Sequence, residues 1–249
     1  MEHEYILIFR KGNKRVFATP EEKQNRMMSS FFWEERNSWF SDIWDFKGAR
    51  QQTNNKKLRS RSAAFPILLP FRLINMYSVY GDTVLDPFLG TGTTMLAAMA
   101  TGRDSIGYEI DQNFSIPIKN RIVEERNKLN NYNVDRISNH LNFIQTYTQE
   151  KKALKYNNKY FSFPVMTKQE TELKLAFLKT VDEDIENCFK AAYFNDESLP
   201  LHKSFKALSS LKMPKIVSSI MAHICYILTV AFPLYGLRSS LLKVALSTF

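Results

Sequence analysis

The pattern of apolar and polar residues predicts most clearly an alternating strand and helix unit in the first half of the chain. The predicted elements are a strand over 83–88, a glycine loop over 89–93, a helix over 94–101, a strand over 105–110 and a helix over about 113–127. Gly102 follows the first of these helices, at the position where helices favour glycine as a stop. A strand, a helix and a second strand in this order predict a parallel pair of strands in an α/β sheet.

Outside this unit the patterns are shorter. The apolar run Tyr5–Phe9 predicts a buried strand, and a helix is expected after Pro66, as far as Tyr77. Residues 128–164 are polar and Asn-rich, with a short strand at 160–165, and residues 168–192 favour one or two helices. Residues 31–46 hold seven aromatic side chains, for which we expect packing in the core rather than stacking on a base.

The composition describes a globular chain of 249 residues, with 44% hydrophobic and 24% charged residues. Two cysteines exclude a disulfide scaffold and a Cys-rich zinc module, and the four histidines show no pair at metal-ligand spacing, so no metal is expected. The first residues lack a basic segment followed by an apolar run. We therefore expect no signal peptide, and a cytoplasmic protein.

The charge is unevenly distributed. Lys and Arg number 34 against 25 Asp and Glu, which gives a formal net charge of +9 and suggests a polyanionic partner. Residues 47–62 contain six basic residues and no acidic one: Lys47, Arg50, Lys56, Lys57, Arg59 and Arg61. This acid-free stretch, called the basic loop below, predicts an exposed loop.

The segment Gly90–Thr94, which runs from the glycine loop into the first residue of the predicted helix, lies between a strand and that helix. Glycines allow positive φ and close approach of a ligand to the backbone, and the free N–H groups of a helix start favour an anionic or hydrogen-bonding group. Glu109 ends the next strand, where a carboxylate can accept hydrogen bonds from ribose hydroxyls. An adenosine-containing cofactor is therefore expected. Met95 replaces the third glycine of the dinucleotide fingerprint, and no Gly-Lys-Ser/Thr follows to make a P-loop.

The sequence resembles the DNA methyltransferases that use S-adenosylmethionine (SAM) to methylate the exocyclic nitrogen of adenine or cytosine, in their circularly permuted group. The resemblance rests on Val84–Thr94, on Ala97-Ala98, Gly102-Arg103 and Ile106–Glu109, and upstream on Phe65-Pro66-x-x-Leu69, Gly81-Asp82, Trp44–Phe46 and Glu4–Lys11. It covers roughly residues 1–128 and, more faintly, 129–180. It implies a partial Rossmann-like methyltransferase sheet, which we expect to carry a mostly helical C-terminal extension.

The resemblance also implies a cofactor site for SAM. Its residues would be Asp86, Phe88, Gly90, Thr91, Gly92 and Thr93 in the loop, Glu109 on the ribose, and Phe65 and Pro66 beside the methionyl group. Taken singly, Asp86-Pro87 could be a plain strand end and Phe65 a plain core aromatic. The eleven consecutive matching positions favour the cofactor role for the loop and Glu109, and less firmly for Phe65.

The family's catalytic motif, Asp/Asn/Ser-Pro-Pro followed by an aromatic residue, holds and stacks on the flipped target base. The nine prolines of this chain include no adjacent pair, so the motif is absent and no residue is assigned a catalytic role. In the permuted order the motif would precede Tyr5. Two interpretations stay open: one half of a split enzyme completed by a second polypeptide, or a truncated or decayed remnant that only binds SAM. In either case we expect no DNA methylation by the chain alone.

In this family the target-recognition region often lies where the basic loop stands. The resemblance therefore implies contacts of Arg50, Lys56, Lys57, Arg59 and Arg61 with double-stranded DNA, against the alternative of a solvated loop without a partner.

The C-terminal part carries an apolar segment, residues 216–237, that has no Lys, Arg, Asp or Glu. Its length would suffice to span a membrane, but we favour a buried or partner-facing helix pair over a membrane-attached interaction protein. The predicted organisation is a SAM-binding part over 1–128, an extension of the same domain over 129–180, and a helical apolar tail over 181–249.

Overall fold

A computed structural model of the chain describes residues 4–46, 65–150, 154–195 and 239–246. Its helices are α1 (Pro20–Met28), α2 (Trp33–Trp39), α3 (Leu68–Tyr77), α4 (Thr93–Thr101), α5 (Ser115–Glu124) and α6 (Arg126–Glu150). Its strands are β1 (Thr83–Asp86), β2 (Asp104–Glu109), β3 (Tyr156–Asn157), β4 (Pro164–Val165), β5 (Leu178–Ile185), β6 (Cys188–Tyr193) and β7 (Ser239–Leu246). Short 3₁₀ helices lie at Gln112–Phe114 and Lys168–Glu172. The basic loop and the apolar segment 216–237 lie outside the described residues.

The main sheet has five strands in the order β1-β2-β7-β6-β5. β1 and β2 are parallel, with Thr83 opposite Asp104 and Asp86 opposite Gly107, and β2 is also parallel to β7. β6 is antiparallel to both β7 and β5. The parallel strand pair and the α/β class predicted from sequence are confirmed. Because β6 is antiparallel to its two neighbours, the sheet as a whole is mixed.

Helix α4 crosses between β1 and β2 and is the centre of the larger core. Its residues are buried almost all round, which fits a helix that is apolar on every face. Gly102 ends it with φ of 71°, and the Arg103 N–H then bonds to the Ala98 carbonyl, as expected for a glycine stop. The predicted strand, glycine loop, helix and glycine stop are thus all confirmed.

A second core lies beside the first and is built mainly of aromatic side chains. Phe32, Phe161, Phe163 and Phe177 are buried there with aliphatic residues of α6 and of the segment after β4. The prediction of core packing for the aromatic segment is confirmed for Phe32 and for Trp39, which joins the larger core. It was wrong for Trp33 and Phe40, whose side chains are 39% and 49% exposed.

Helix α6 was not predicted, because its sequence is polar and Asn-rich. Two of its asparagines are buried and bond to main-chain groups of its neighbours. The Asn130 side chain both donates to the Leu178 carbonyl and accepts from the Leu178 N–H, and Asn133 donates to Ala100 and Ala176. Hydrogen bonds to distant parts of the chain therefore explain why asparagines, which by local propensity favour loops, lie in this helix.

The prediction of one or two helices over 168–192 was wrong. After the short 3₁₀ helix the chain forms β5 and β6, a hairpin closed at the pair Ile185 and Cys188. Asn187 in its turn has φ of 62°, a left-handed conformation that asparagine tolerates better than most residues. The pairing of β6 with both β5 and β7 determines the strand conformation of this segment. The described residues of the predicted helical tail are strands as well.

The buried strand predicted at Tyr5–Phe9 was also wrong. The segment carries no regular secondary structure, and its five large side chains are between 47% and 89% exposed. An apolar run becomes a buried strand only beside a partner strand, and among the described residues none pairs with it.

No helix in the described ranges is both long enough and apolar enough to cross a lipid bilayer.

Candidate functional site

The glycine loop connects the end of β1 to the start of α4 in a left-handed turn. Gly90 and Gly92 have φ of 54° and 78°, which L side chains rarely adopt. A Cβ on Gly92 would lie 3.2 Å from Cγ2 of Ile118 in α5. A larger residue at this position is therefore disfavoured by contact with α5 as well as by the positive φ. Around Gly90 the nearest such contact is at 3.9 Å, which leaves its backbone accessible.

Glu109 lies directly beside this loop. Its Oε2 accepts a hydrogen bond of 2.7 Å from the Gly90 N–H, and its Oε1 accepts one of 2.8 Å from the Asp111 N–H. Each carboxylate oxygen keeps a second lone pair that could accept from a hydroxyl group. The predicted association of the glycine loop with Glu109 is therefore present in the fold.

Three contacts fix the shape of the loop. The Leu89 N–H bonds to the Tyr108 carbonyl over 2.8 Å, the guanidinium of Arg121 donates to the Thr91 carbonyl, and the hydroxyls of Thr91 and Thr93 lie 3.1 Å apart. Thr93 is buried as the first residue of α4. The loop is thus held from β2 on one side and from α5 on the other.

Sequence reasoning missed two supporting residues. Gly107 was noticed only as part of a motif, yet a Cβ there would lie 2.7 Å from both methyl carbons of Leu89. Arg121 lies 30 positions from its partner Thr91, and nothing local signals their contact. The small residue in mid-strand was the available signal for Gly107, because a glycine inside a strand often marks a close approach.

Asp86 and Phe88 stand at the mouth of the loop. Oδ1 of Asp86 accepts a 3.0 Å hydrogen bond from the Phe88 N–H, which turns the chain at Pro87. The Phe88 ring is 88% exposed. An exposed ring next to an accessible glycine backbone is a surface on which a planar or apolar group could rest.

Phe65 and Pro66 stand just before α3, whose first turn is closed by the Leu69 N–H bonding to the Pro66 carbonyl. Phe65 is 39% exposed and therefore does not pack as a core aromatic. Helix α3 packs against α4, the helix that follows the loop. The five basic-loop residues named as DNA contacts all lie outside the described residues.

The chemistry that these residues offer is acceptance and donation of hydrogen bonds without a reacting side chain. Gly92 is the N-cap of α4 and no side chain caps this helix, so no side chain at the N-cap occupies its first-turn N–H groups, which can donate to a ligand. Glu109 adds a carboxylate, and Phe88 adds an apolar face. Such a set can hold a nucleoside with a charged or polar tail.

Comparison with known proteins places this loop in a family. Residues 1–120 match the family model of the N6/N4 methyltransferases, described as DNA methylase. The type II methyltransferase M.MthZI of Methanothermobacter thermautotrophicus is 50% identical over 193 residues, which are 77% of this chain and 53% of that protein. M.MjaI of Methanocaldococcus jannaschii is 45% identical over 139 residues, 55% of this chain and 45% of that protein. The chain thus spans about half the length of these curated relatives.

A solved structure is also similar in sequence to part of this chain. TTHA0409 of Thermus thermophilus, crystallised with S-adenosyl-L-methionine, is 34% identical in sequence, with a TM-score of 0.35. The match covers 45% of this chain and 39% of the TTHA0409 chain. The 193 residues shared with M.MthZI exceed the 120 of the family match, so the likeness continues beyond the glycine loop and Glu109. By their loop motif, their family match and these relatives, residues 1–120 of this chain match the DNA amino-methyltransferase family.

Proposed function

We propose that this chain is the SAM-binding part of a DNA amino-methyltransferase of restriction-modification type, which methylates the exocyclic nitrogen of adenine or cytosine. The observation that carries the proposal is the 2.7 Å hydrogen bond between the Gly90 N–H and Glu109. It brings the two halves of the predicted cofactor site into contact, although they lie 19 residues apart.

In the proposed complex Glu109 accepts hydrogen bonds from the ribose hydroxyls, using the lone pairs that Gly90 and Asp111 leave unused. The open backbone at Gly90 lets the cofactor approach the loop, and the uncapped start of α4 offers N–H donors. Asp86 and Phe88 border the site, and Phe65 and Pro66 face the methionyl end. SAM would supply an electrophilic methyl group, while these side chains only bind and orient it.

We also propose that the groups which hold the target base lie outside these 249 residues, because the chain has no adjacent prolines. Its sheet supports this. Among the described residues β1 pairs with β2 alone, and Leu85 on β1 is 59% exposed. Parallel strands are normally covered on both faces, so the exposed Leu85 side chain indicates that one face of β1 lacks a covering element among the described residues, just as its outer edge lacks a paired strand. A second polypeptide, or a further part of the protein, would cover this edge.

The exposed run Tyr5–Phe9 adds to that argument. Five consecutive large apolar side chains at the surface form the kind of patch that marks an interaction site. We propose that the same catalytic part covers this run together with the edge of β1.

Double-stranded DNA is the proposed substrate, and a cytoplasmic location is proposed with it. The basic loop would bind phosphates through Arg50, Lys56, Lys57, Arg59 and Arg61. Neutralising these five residues would then weaken DNA binding uniformly across sequences and flatten its dependence on salt.

Methyl transfer from labelled SAM to DNA tests the proposal. The purified chain alone should transfer no label, and the mixture with a co-expressed polypeptide that carries the Pro-Pro-aromatic motif of a relative should transfer it. Leu85→Lys, which charges the exposed face of β1, should weaken this rescue, whereas Ile185→Lys in the distant hairpin serves as the matched control. Label transferred by the chain alone would contradict the need for an added catalytic part.

A further inference from the structure

Three ligand-type side chains converge in the second core, away from the glycine loop. They are Glu34 of α2, His140 of α6 and Glu170 of the short 3₁₀ helix, and one oxygen or nitrogen atom from each lies within 4.8 Å of the others. His140 is 0% exposed and Glu170 is 1% exposed. Their spacing in sequence is too long to suggest a site, since Glu34 lies 106 residues before His140.

Both ring nitrogens of His140 face hydrogen-bond acceptors. Nδ1 lies 2.8 Å from Oε1 of Glu34, and Nε2 lies 3.0 Å from the carbonyl oxygen of Pro164. A neutral imidazole has one N–H, so it can donate to only one of them. If Nε2–H donates to the Pro164 carbonyl, the lone pair of Nδ1 points at the Glu34 carboxylate. Because a lone pair and a carboxylate repel each other, a positive charge is needed between them. A histidine that ligates a metal typically donates its other N–H to a backbone carbonyl in this way.

The charges of the cluster also require a positive charge nearby. Oε2 of Glu34 is buried and has no hydrogen-bond partner among the described residues. Glu170 accepts hydrogen bonds from the Trp33 N–H and from the N–H and hydroxyl of Thr167, all neutral donors. The neighbouring cation Arg136 is already paired with Glu35, at 2.6 Å. Two carboxylates with a neutral imidazole carry two negative charges in a place from which water is largely excluded.

We propose that Glu34, His140 and Glu170 bind a divalent transition-metal ion of the Zn²⁺ class, which ties α2 and α6 to the 3₁₀ helix. One such ion balances both carboxylates, whereas a proton on His140 would leave one buried negative charge uncompensated. Imidazole and carboxylate are common ligands of zinc, and water would complete a tetrahedral set. Bonds of about 2.0–2.1 Å place tetrahedral ligand atoms about 3.4 Å apart, so Glu34 would withdraw slightly from Nδ1. Its side chain is 19% exposed, which leaves room for that movement.

The test uses the full chain, freed of metal by a chelator and then titrated with Zn²⁺. We expect one zinc retained per chain after gel filtration and a rise of several degrees in the unfolding temperature. Glu34→Gln keeps the shape of the side chain, and it should weaken zinc affinity about tenfold or more and abolish the rise. Glu172→Gln is the matched control, because Glu172 ends the same 3₁₀ helix and bonds instead to Gln24 and Lys159. Equal zinc retention by the wild type and Glu34→Gln would overturn the proposal.

A second measurement distinguishes the metal from a proton without relying on a variant. Nitrogen-15 spectra of the histidine side chains at neutral pH should show His140 protonated at Nε2 alone, with its Nδ1 resonance shifted on addition of Zn²⁺. Both nitrogens protonated in the presence of Zn²⁺ would contradict metal binding and assign the cluster to a buried imidazolium. Neither readout involves SAM or DNA, so failure here leaves the proposed function untouched.

Discussion

The Glu109 carboxylate bonds to the Gly90 N–H at 2.7 Å, and this contact joins the end of β2 to the loop after β1. It depends on the register of the two strands, in which Asp86 lies opposite Gly107. A carboxylate two residues further along β2 therefore reaches the glycine loop. The geometry of the proposed cofactor site is thus a consequence of strand pairing, and changes that disturb the pairing should disturb cofactor binding.

Gly107→Ala tests the fit between β2 and the loop. The added Cβ would lie 2.7 Å from the methyl carbons of Leu89, so Leu89 must move. We expect a loss of about 1–3 kcal/mol in the free energy of unfolding, together with weaker SAM binding. Ser105→Ala on the same strand is the control, since the buried Ser105 hydroxyl has no partner in the described structure and its removal should not destabilise. Urea unfolding measures both, and equal stabilities would contradict the contact.

Arg103→Met tests a buried cation at the end of α4. The guanidinium donates to the carbonyls of Ser78 and Thr101 and lies 4.7 Å from the centre of the Tyr80 ring. Burial lowers the pKa of Arg103 to about 10, so the group stays charged at neutral pH. Leaving the buried Thr101 carbonyl and the part-buried Ser78 carbonyl without this donor should cost about 3 kcal/mol. Arg36→Met, at an exposed position of α2, should change stability by less than about 0.5 kcal/mol in the same urea unfolding experiment.

Glu35→Ala tests the buried ion pair between α2 and α6. Arg136 donates to both oxygens of Glu35, at 2.6 and 2.9 Å, and both side chains are at most 9% exposed. Removing one partner leaves an unpaired buried charge, for which we expect a loss of about 3–5 kcal/mol in calorimetric unfolding. The double variant Glu35→Ala and Arg136→Met should recover part of that loss. A simple sum of the two single effects would show that the pair is not coupled.

Asn187→Val tests the hairpin that replaces the predicted helix. Asn187 has φ of 62°, which a β-branched side chain tolerates poorly, so we expect a loss of about 1–2 kcal/mol. Asn187→Gly should be neutral or slightly stabilising because glycine adopts this φ freely. Thermal unfolding distinguishes the two. The opposite order would favour a helical conformation over 178–193.

The strand, loop and helix around the proposed cofactor site could be predicted because their sequence signals are local. Gly102 ends α4 through its own left-handed φ, and Gly90 and Gly92 turn the loop in the same way. Each needs only the residue itself and its immediate neighbours, so sequence reasoning finds them. The link between Gly90 and Glu109 then follows from the parallel pairing of the two strands.

The remaining parts depend on contacts between distant residues. Asn130 belongs in a helix because it bonds to the backbone at Leu178, and Arg121 supports the loop through Thr91. Tyr5–Phe9 fails as a strand for the opposite reason, because a suitable local pattern lacks a neighbour to pair with among the described residues. Glu34, His140 and Glu170 meet only in the folded chain. No spacing rule applied to the sequence could have found these arrangements.

Isothermal titration of SAM into the purified chain tests the central claim most directly. We expect saturable binding of one SAM per chain, weakened about 10- to 100-fold by Glu109→Gln, since this change removes hydrogen bonds to a charged acceptor. Gly92→Val should abolish binding by straining the loop against Ile118. Glu183→Gln, a surface carboxylate on β5 bonded to Lys119, should bind SAM as the wild type does. Absence of SAM binding by the folded wild-type chain, or equal binding by Glu109→Gln, would contradict the account.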